Sequence, residues 1–99
     1  LDNQIIIDPG IGFGKSIKQN FILLNKTNLF CELGYPVLIG TSRKSFLGKT
    51  LESDTDHLIE GSIASSLFSI FRGARILRVH DVKEIKRAVV IFEKTMNSK

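Results

Sequence analysis

The stretch QIIIDPGIGFGKS, residues 4–16, sets a run of β-branched residues directly before a glycine-rich turn. The isoleucines of residues 4–7 form a short run that closes at Asp8-Pro9-Gly10. A continuous apolar run that ends in a turn is typical of a strand buried on both faces. The sequence therefore predicts a buried strand over residues 4–7 and a glycine-rich loop after it.

The glycine-rich loop looks like a nucleotide-binding loop, but its spacing excludes both standard patterns. A P-loop that ended in Gly14-Lys15-Ser16 would need its first glycine at position 9, which is Pro9. Proline has no N–H to offer a phosphate, and its φ is fixed. The dinucleotide pattern G-x-G-x-x-G, begun at Gly10, requires a glycine where Lys15 stands. The spacing therefore does not predict a phosphate cradle.

Two more units of strand, loop and helix follow the first one. Apolar residues at a spacing of 3.6 residues indicate the helices, and the first of these faces comprises Ile22, Leu23, Leu29, Phe30 and Leu33. Glycine after each of the first two helices is typical of a helix end, and Asp81 with Glu84 resembles a capping box. The predicted elements are a strand over 4–7, a helix over 19–33, a strand over 37–40, a helix over 56–72, a strand over 76–79 and a helix over 82–96.

This alternation predicts an α/β fold with three parallel strands and three helices. The strands begin about 32 and 39 residues apart, close to the repeat of a (β/α)₈ barrel. Three units cannot close a barrel, and the chain begins with Leu1, so we expect residues 1–99 to be an incomplete part of a longer barrel domain. A small open α/β domain is the alternative.

Composition indicates a globular protein with 42% hydrophobic and 24% charged residues. The net charge of +4 comes from basic residues spread along the chain, so nucleic-acid binding is not favoured and a small anionic substrate fits at least as well. The sequence shows neither a signal-peptide pattern nor a membrane-spanning run, and we expect a cytoplasmic protein. The single cysteine, Cys31, excludes an internal disulfide and is expected to be a core residue.

Each predicted strand ends in polar residues, and catalytic groups of barrel enzymes lie at the carboxyl ends of the strands. Taken singly, Asp8 could be a turn residue and Lys44 a solvated surface lysine. Arg78 and His80 are two positions apart, share a strand face and make an anion site together. The candidate site residues are Asp8 and Lys15 after the first strand, Ser42, Arg43 and Lys44 after the second, and Arg78 and His80 at the third.

Three segments, DPGIGFGK, GTSRKSFLG and RVHDV, resemble the last three βα units of the dihydropteroate synthase family. The resemblance extends from about Ile5 to the C-terminus. It implies the C-terminal portion of a (β/α)₈ TIM barrel and a homodimeric transferase of folate biosynthesis. Such an enzyme condenses 6-hydroxymethyl-7,8-dihydropterin diphosphate with p-aminobenzoate, releases pyrophosphate and is the target of sulfonamides.

The resemblance also implies roles for individual residues. Asp8 accepts the N–H pair of the pterin, Lys44 reaches the pterin carbonyl and ring nitrogen, and Arg78 with His80 holds the diphosphate. Ser42 bonds the p-aminobenzoate carboxylate and Phe13 packs beside its ring, while Lys15 and Arg43 are substrate-binding residues without a defined role. The expected catalytic residues are Lys44, Arg78 and His80. Mg²⁺ would accompany the diphosphate, with its protein ligand outside this segment.

Two predictions concern the segment as a whole. Residues 1–99 by themselves are expected to have no synthase activity, because the family's other substrate contacts come from earlier strands. The rival hypothesis is a non-catalytic α/β module that binds small anions or pterins.

Overall fold

The structure is a computed structural model that describes residues 4–54 and 58–99. It contains two short strands and five helices within those ranges. In chain order these are α1 (Ile17–Asn25), α2 (Thr27–Cys31), β1 (Leu38–Ile39), α3 (Ser45–Leu51), α4 (Ile59–Phe71), β2 (Ile76–Leu77) and α5 (Val82–Met96).

The two strands form a parallel sheet in which Leu38 pairs with Ile76 and Ile39 with Leu77. On the other side of β1, Ile7 forms a parallel bridge with Val37. The N–H of Leu38 donates to the Ile7 carbonyl, whereas the Val37 carbonyl accepts from the N–H of Ile76. β1 therefore lies between the other two chain segments, in the order expected of consecutive βα units.

The prediction of three strands is wrong in its detail. Residues 4–7 contribute one bridge to the described structure rather than a strand, and the side chains of Ile5 and Ile6 are 41% and 56% exposed. The other two predicted strands are present but shorter than 37–40 and 76–79. A strand is defined by pairing along its length, and the isoleucine run indicates burial without supplying a partner.

The predicted helix over 19–33 is two helices. The N–H of Lys26 donates to the carbonyls of Ile22 and Leu23, and the Thr27 hydroxyl donates to the Leu24 carbonyl at 2.7 Å. A side chain that competes for helix carbonyls in this way interrupts the regular ladder. The buried face consists of Asn20, Leu24 and Thr27 instead of the predicted apolar set, of which Ile22, Leu29 and Leu33 are exposed.

Helix α3 was not predicted, because residues 41–54 read as a polar loop. Its buried Phe46 and Leu47 join the core with Val37, Ile39 and Leu58. Helix α4 begins at Ile59, and the start of the predicted 56–72 helix lies outside the described residues.

The face of α4 that packs inward is rich in serine. The buried serines are Ser62, Ser65, Ser66 and Ser69. Their small volume lets the helix lie close to the segment that follows β1, where Thr41 Oγ1 and Ser65 Oγ are 2.6 Å apart. The helix therefore supports one of the loops that were predicted to carry the site.

The last helix, α5, has the predicted bounds 82–96, and Ile85 on its predicted apolar stripe is buried. The predicted capping box is wrong: the Asp81 side chain makes no capping hydrogen bond and instead pairs with Arg43 at 3.0 Å. A capping box does occur at α1, between Ser16 and Gln19.

Two further features bear on the predicted class of protein. Cys31 packs against the core, and desolvation by burial raises the pKa of its thiol, which agrees with a packing role. None of the helices formed by the described residues is long and apolar enough to cross a membrane.

Candidate active site

A cavity of about 370 Å³ opens at the carboxyl ends of the parallel segments. Its walls come from the residues directly after Ile7, after β1 and after β2. Six of the eight predicted site residues line it: Asp8, Phe13, Ser42, Lys44, Arg78 and His80. The predicted convergence of these side chains on one end of the sheet is therefore observed.

The side chains of Asp8 and Arg78 face each other across the cavity, with 3.5 Å between Asp8 Oδ2 and Arg78 Nη1. The other carboxylate oxygen, Oδ1, accepts the N–H of Gly10 at 2.9 Å and fixes the turn. Gly40 lies under the guanidinium group, because a Cβ at that position would be 2.9 Å from Arg78 Nη2. The glycine thus allows the flat guanidinium to lie against the backbone that follows β1.

Ser42 and His80 are joined by two contacts. The Ser42 hydroxyl oxygen accepts the backbone N–H of His80 at 3.1 Å and lies 3.1 Å from His80 Nδ1. Ser42 is 4% exposed, so this buried hydroxyl orients the histidine ring from below. Nε2 is the ring nitrogen that this arrangement leaves for a ligand.

Phe13 and Lys44 form the opposite wall. The Lys44 ammonium lies 4.3 Å from the centroid of the Phe13 ring, a cation–π distance. The backbone of Gly12 lies against the Lys44 stem, and a Cβ there would be 2.9 Å from Lys44 Cδ. Gly12 also has a φ of +93°, a conformation that favours glycine.

The structure does not bring the other two predicted residues into the cavity lining. Lys15 folds back on its own loop and donates to the carbonyls of Gly10 and Phe13 at 2.8 and 3.0 Å. Arg43 reaches away to Asp81 and ties the segment after β1 to the start of α5. Both cations hold loops that border the cavity.

Sequence reasoning missed the residues that support the site from below. Asn20, buried in α1, accepts the N–H of Gly12 at 2.6 Å. Ser62 accepts the N–H of Arg43 at 3.3 Å, and Ser65 contacts Thr41. The signal that could have found them was a polar residue at a buried helical position, but the apolar pattern of residues 19–33 pointed to another face.

The described residues bear on whether the site could hold a metal ion. Within 4–54 and 58–99, no three His, Cys, Asp or Glu side chains lie close enough together to hold one. The one carboxylate in the cavity lining, Asp8, faces the guanidinium of Arg78. These residues therefore do not fit a protein-held Mg²⁺.

The family model described as pterin binding enzyme matches residues 1–80. The dihydropteroate synthase of Haemophilus influenzae is 46% identical to this chain over 95 residues, which are 96% of this chain and 34% of that protein. The chain spans about a third of the length of the curated relatives that it matches.

Solved structures give the same similarity in three dimensions. A dihydropteroate synthase from Coxiella burnetii in complex with pteroic acid has a TM-score of 0.93 and 42% identity, over 98% of this chain and 36% of that one. The Yersinia pestis dihydropteroate synthase with a sulfonamide drug complex has a TM-score of 0.93 and 39% identity, over 98% of this chain and 35% of that one.

Proposed function

We propose that this chain, which belongs to the pterin binding enzyme family, is the C-terminal portion of a dihydropteroate synthase. Residues 1–99 would form part of a single pterin-binding (β/α)₈ barrel domain, whose consecutive units supply the observed parallel pairing. The observation that carries the proposal is the cavity at the strand ends, where an acceptor, two cations and an oriented histidine converge.

The proposed reaction joins a pterin to an amine. The C–O bond between the pterin methylene and the diphosphate breaks, and its electron pair leaves with pyrophosphate. The p-aminobenzoate nitrogen then bonds to the methylene carbon and loses a proton. A resonance-stabilised pterin cation as the intermediate needs no strong general base.

The Asp8 end of the cavity would bind the pterin. A carboxylate can accept both N–H groups at the edge of the pterin ring, and hydrogen bonds to a charged acceptor are the stronger kind. Gly10 occupies Oδ1 through one lone pair, which leaves acceptor capacity on both oxygens. Arg78, 3.5 Å from this carboxylate, would lie against the ring.

The Arg78 and His80 end would bind the diphosphate. The planar guanidinium suits phosphate oxygens, and an Nε2–H of His80 adds a second donor. Both groups are held before substrate arrives, Arg78 over Gly40 and His80 on Ser42. Donors fixed in advance stabilise the negative charge that develops on pyrophosphate as the C–O bond breaks.

The Phe13 and Lys44 wall would complete the site for p-aminobenzoate. Phe13 offers a ring face, and Lys44, leaving its place over that ring, would reach the pterin carbonyl and ring nitrogen. The predicted bond from Ser42 to the p-aminobenzoate carboxylate requires the hydroxyl hydrogen of Ser42. That hydrogen is available when His80 Nδ1 is protonated and donates to Oγ.

Three parts of the proposal concern the whole protein. Mg²⁺ would arrive with the diphosphate, since the described residues do not group the ligands to hold it by themselves. A homodimer would cover the apolar groove between α4 and α5, where Ile91 and Met96 are 68% and 54% exposed. A folate enzyme of this kind would work in the cytoplasm and be sensitive to sulfonamides.

The test is an assay of the complete polypeptide that includes residues 1–99. With both substrates present, pyrophosphate and 7,8-dihydropteroate should form in equal amounts, and a sulfonamide should inhibit both. Tight binding of pyrophosphate or pterin without turnover would instead support the rival binding module.

A further inference from the structure

We propose that Asn20 is a positioning residue for the cavity and that it latches the glycine loop, residues 8–15, against Lys44. The inference rests on the proposed function, because it assigns to Asn20 an effect on one of the two ends of that site. The side-chain hydrogen bonds of Asn20 go to Gly12 and Ser16, neither of which lines the cavity.

The side chain of Asn20 is 2% exposed and uses both ends of its amide. Oδ1 accepts the Gly12 N–H at 2.6 Å, and Nδ2 donates to the Ser16 carbonyl at 3.0 Å. Ser16 is fixed in turn, because it caps α1 in a reciprocal pair with Gln19. Asn20 thus connects the fixed start of α1 to the loop.

Asn20 provides the loop's hydrogen bond to a helix. The other hydrogen bonds that the described residues make within 8–15 join loop residues to each other: Gly10 N–H to Asp8, Phe13 N–H to Gly10, and Lys15 to two carbonyls. These bonds shape the loop without attaching it to a helix. Loss of the Asn20 acceptor would also leave the Gly12 N–H without its partner, which favours a displaced loop.

A displacement of Gly12 would be passed to the cavity wall by two neighbouring residues. Its backbone lies against the stem of Lys44, where a Cβ would be 2.9 Å from Cδ. The next residue, Phe13, lies under the Lys44 ammonium at 4.3 Å. A loop that moves away from α1 therefore shifts the ring and releases the lysine together.

The effect should spare the diphosphate end of the site. Phe13 and Lys44 face the proposed p-aminobenzoate position, whereas Arg78 and His80 are held by Gly40 and Ser42 on the sheet. Arg78 meets the loop only at its first residue, Asp8, at 3.5 Å, and Asp8 directly follows Ile7, which is bridged to Val37. The printed hydrogen bonds of Asn20 go to Gly12 and Ser16, further along the chain. A loosened loop should weaken the binding of p-aminobenzoate and leave the binding of pyrophosphate unchanged.

The experiment compares Asn20→Leu with Thr27→Val in the complete polypeptide. Both variants remove a buried side-chain hydrogen bond from neighbouring helices, but Thr27 contacts Leu24 and not the loop. Asn20→Leu should raise KM for p-aminobenzoate about tenfold, since a competent loop then forms in a smaller fraction of molecules. The Kd of pyrophosphate should stay within about twofold, and Thr27→Val should change neither constant.

A second readout follows the loop itself. Trypsin should cut after Lys15 about tenfold faster in Asn20→Leu than in the wild type, because cleavage tracks the opened state, and no faster in Thr27→Val. Asn20→Ala, which adds no apolar bulk, is the variant to use if Asn20→Leu does not fold.

The outcomes separate the two proposals. An inactive wild type would overturn the proposed function. An active wild type with unchanged p-aminobenzoate KM and unchanged cleavage after Lys15 in the Asn20 variants would overturn the latch. A rise in the Kd of pyrophosphate as large as the rise in p-aminobenzoate KM, or the same rises in Thr27→Val, would mean that Asn20 contributes to general stability and not to positioning.

Discussion

The substitution Gly12→Ala, compared with Gly14→Ala, isolates the contact between the loop and Lys44. Both glycines have positive φ, +93° and +62°, so an alanine at either position costs about 1–2 kcal/mol in backbone strain. At Gly14 a Cβ meets nothing within 4 Å, whereas at Gly12 it would be 2.9 Å from Lys44 Cδ. The two variants therefore differ in the collision with the lysine.

The size of the expected effect follows from that collision. Carbon atoms in contact are separated by about 3.5–4.0 Å, so the lysine stem must rotate and carry its ammonium away from the cavity. If Lys44 bonds the pterin, its loss costs about 1.5–3 kcal/mol, the usual range for a hydrogen bond to a charged group. Transition-state binding should then fall about 10- to 150-fold in Gly12→Ala.

The assay is kcat/KM for pyrophosphate release by the complete polypeptide, with thermal unfolding of each variant as the control. We expect both variants to lose similar stability and Gly14→Ala to keep kcat/KM within about threefold of the wild type. Equal activity losses in the two variants, or full activity in Gly12→Ala, would refute the role given to Lys44 and its contact with the loop.

Two further predictions concern the phosphate end and the segment itself. Gly40→Ala should weaken pyrophosphate binding about tenfold, since its Cβ would lie 2.9 Å from Arg78 Nη2; calorimetry measures this, and unchanged affinity would contradict the supporting role of Gly40. Residues 1–99 expressed by themselves should show no condensation, because a catalytic constellation that lacks members loses orders of magnitude in rate; sulfonamide-sensitive turnover by this fragment would show that it is a complete site.

The sequence predicted best those elements whose pattern is regular and whose partners are near. Helix α5 has the bounds 82–96 because its apolar stripe repeats without interruption. The positions of the site residues followed from strand order, since parallel strands bring their carboxyl ends to one edge. This reasoning needed no knowledge of side-chain contacts.

The predictions were wrong where the hydrogen bonds or ion pair of a single side chain override the apolar periodicity. The Thr27 hydroxyl donates to the Leu24 carbonyl where the predicted first helix is divided in two. The spacing of apolar residues does not reveal such a hydrogen bond. Asp81 was expected to cap α5, but Arg43 binds it across a distance of 38 residues. Asn20 lies outside the apolar face predicted for residues 19–33, yet it is buried and its oxygen accepts the Gly12 N–H.

We propose that the cavity has a pterin end at Asp8 and a diphosphate end at Arg78. Calorimetry with a phosphate-free hydroxymethylpterin and with pyrophosphate, on Asp8→Asn and Arg78→Ala in the complete polypeptide, tests it directly. Asp8→Asn keeps an acceptor for the Gly10 N–H, so the loop turn survives.

Asp8→Asn should weaken binding of the pterin at least about 100-fold, because two charged hydrogen bonds are lost. Pyrophosphate should bind as tightly as before or more tightly. Arg78→Ala should weaken pyrophosphate more than the pterin. If both folded variants lost the same affinity for both ligands, the division of the site into a pterin end and a diphosphate end would be contradicted.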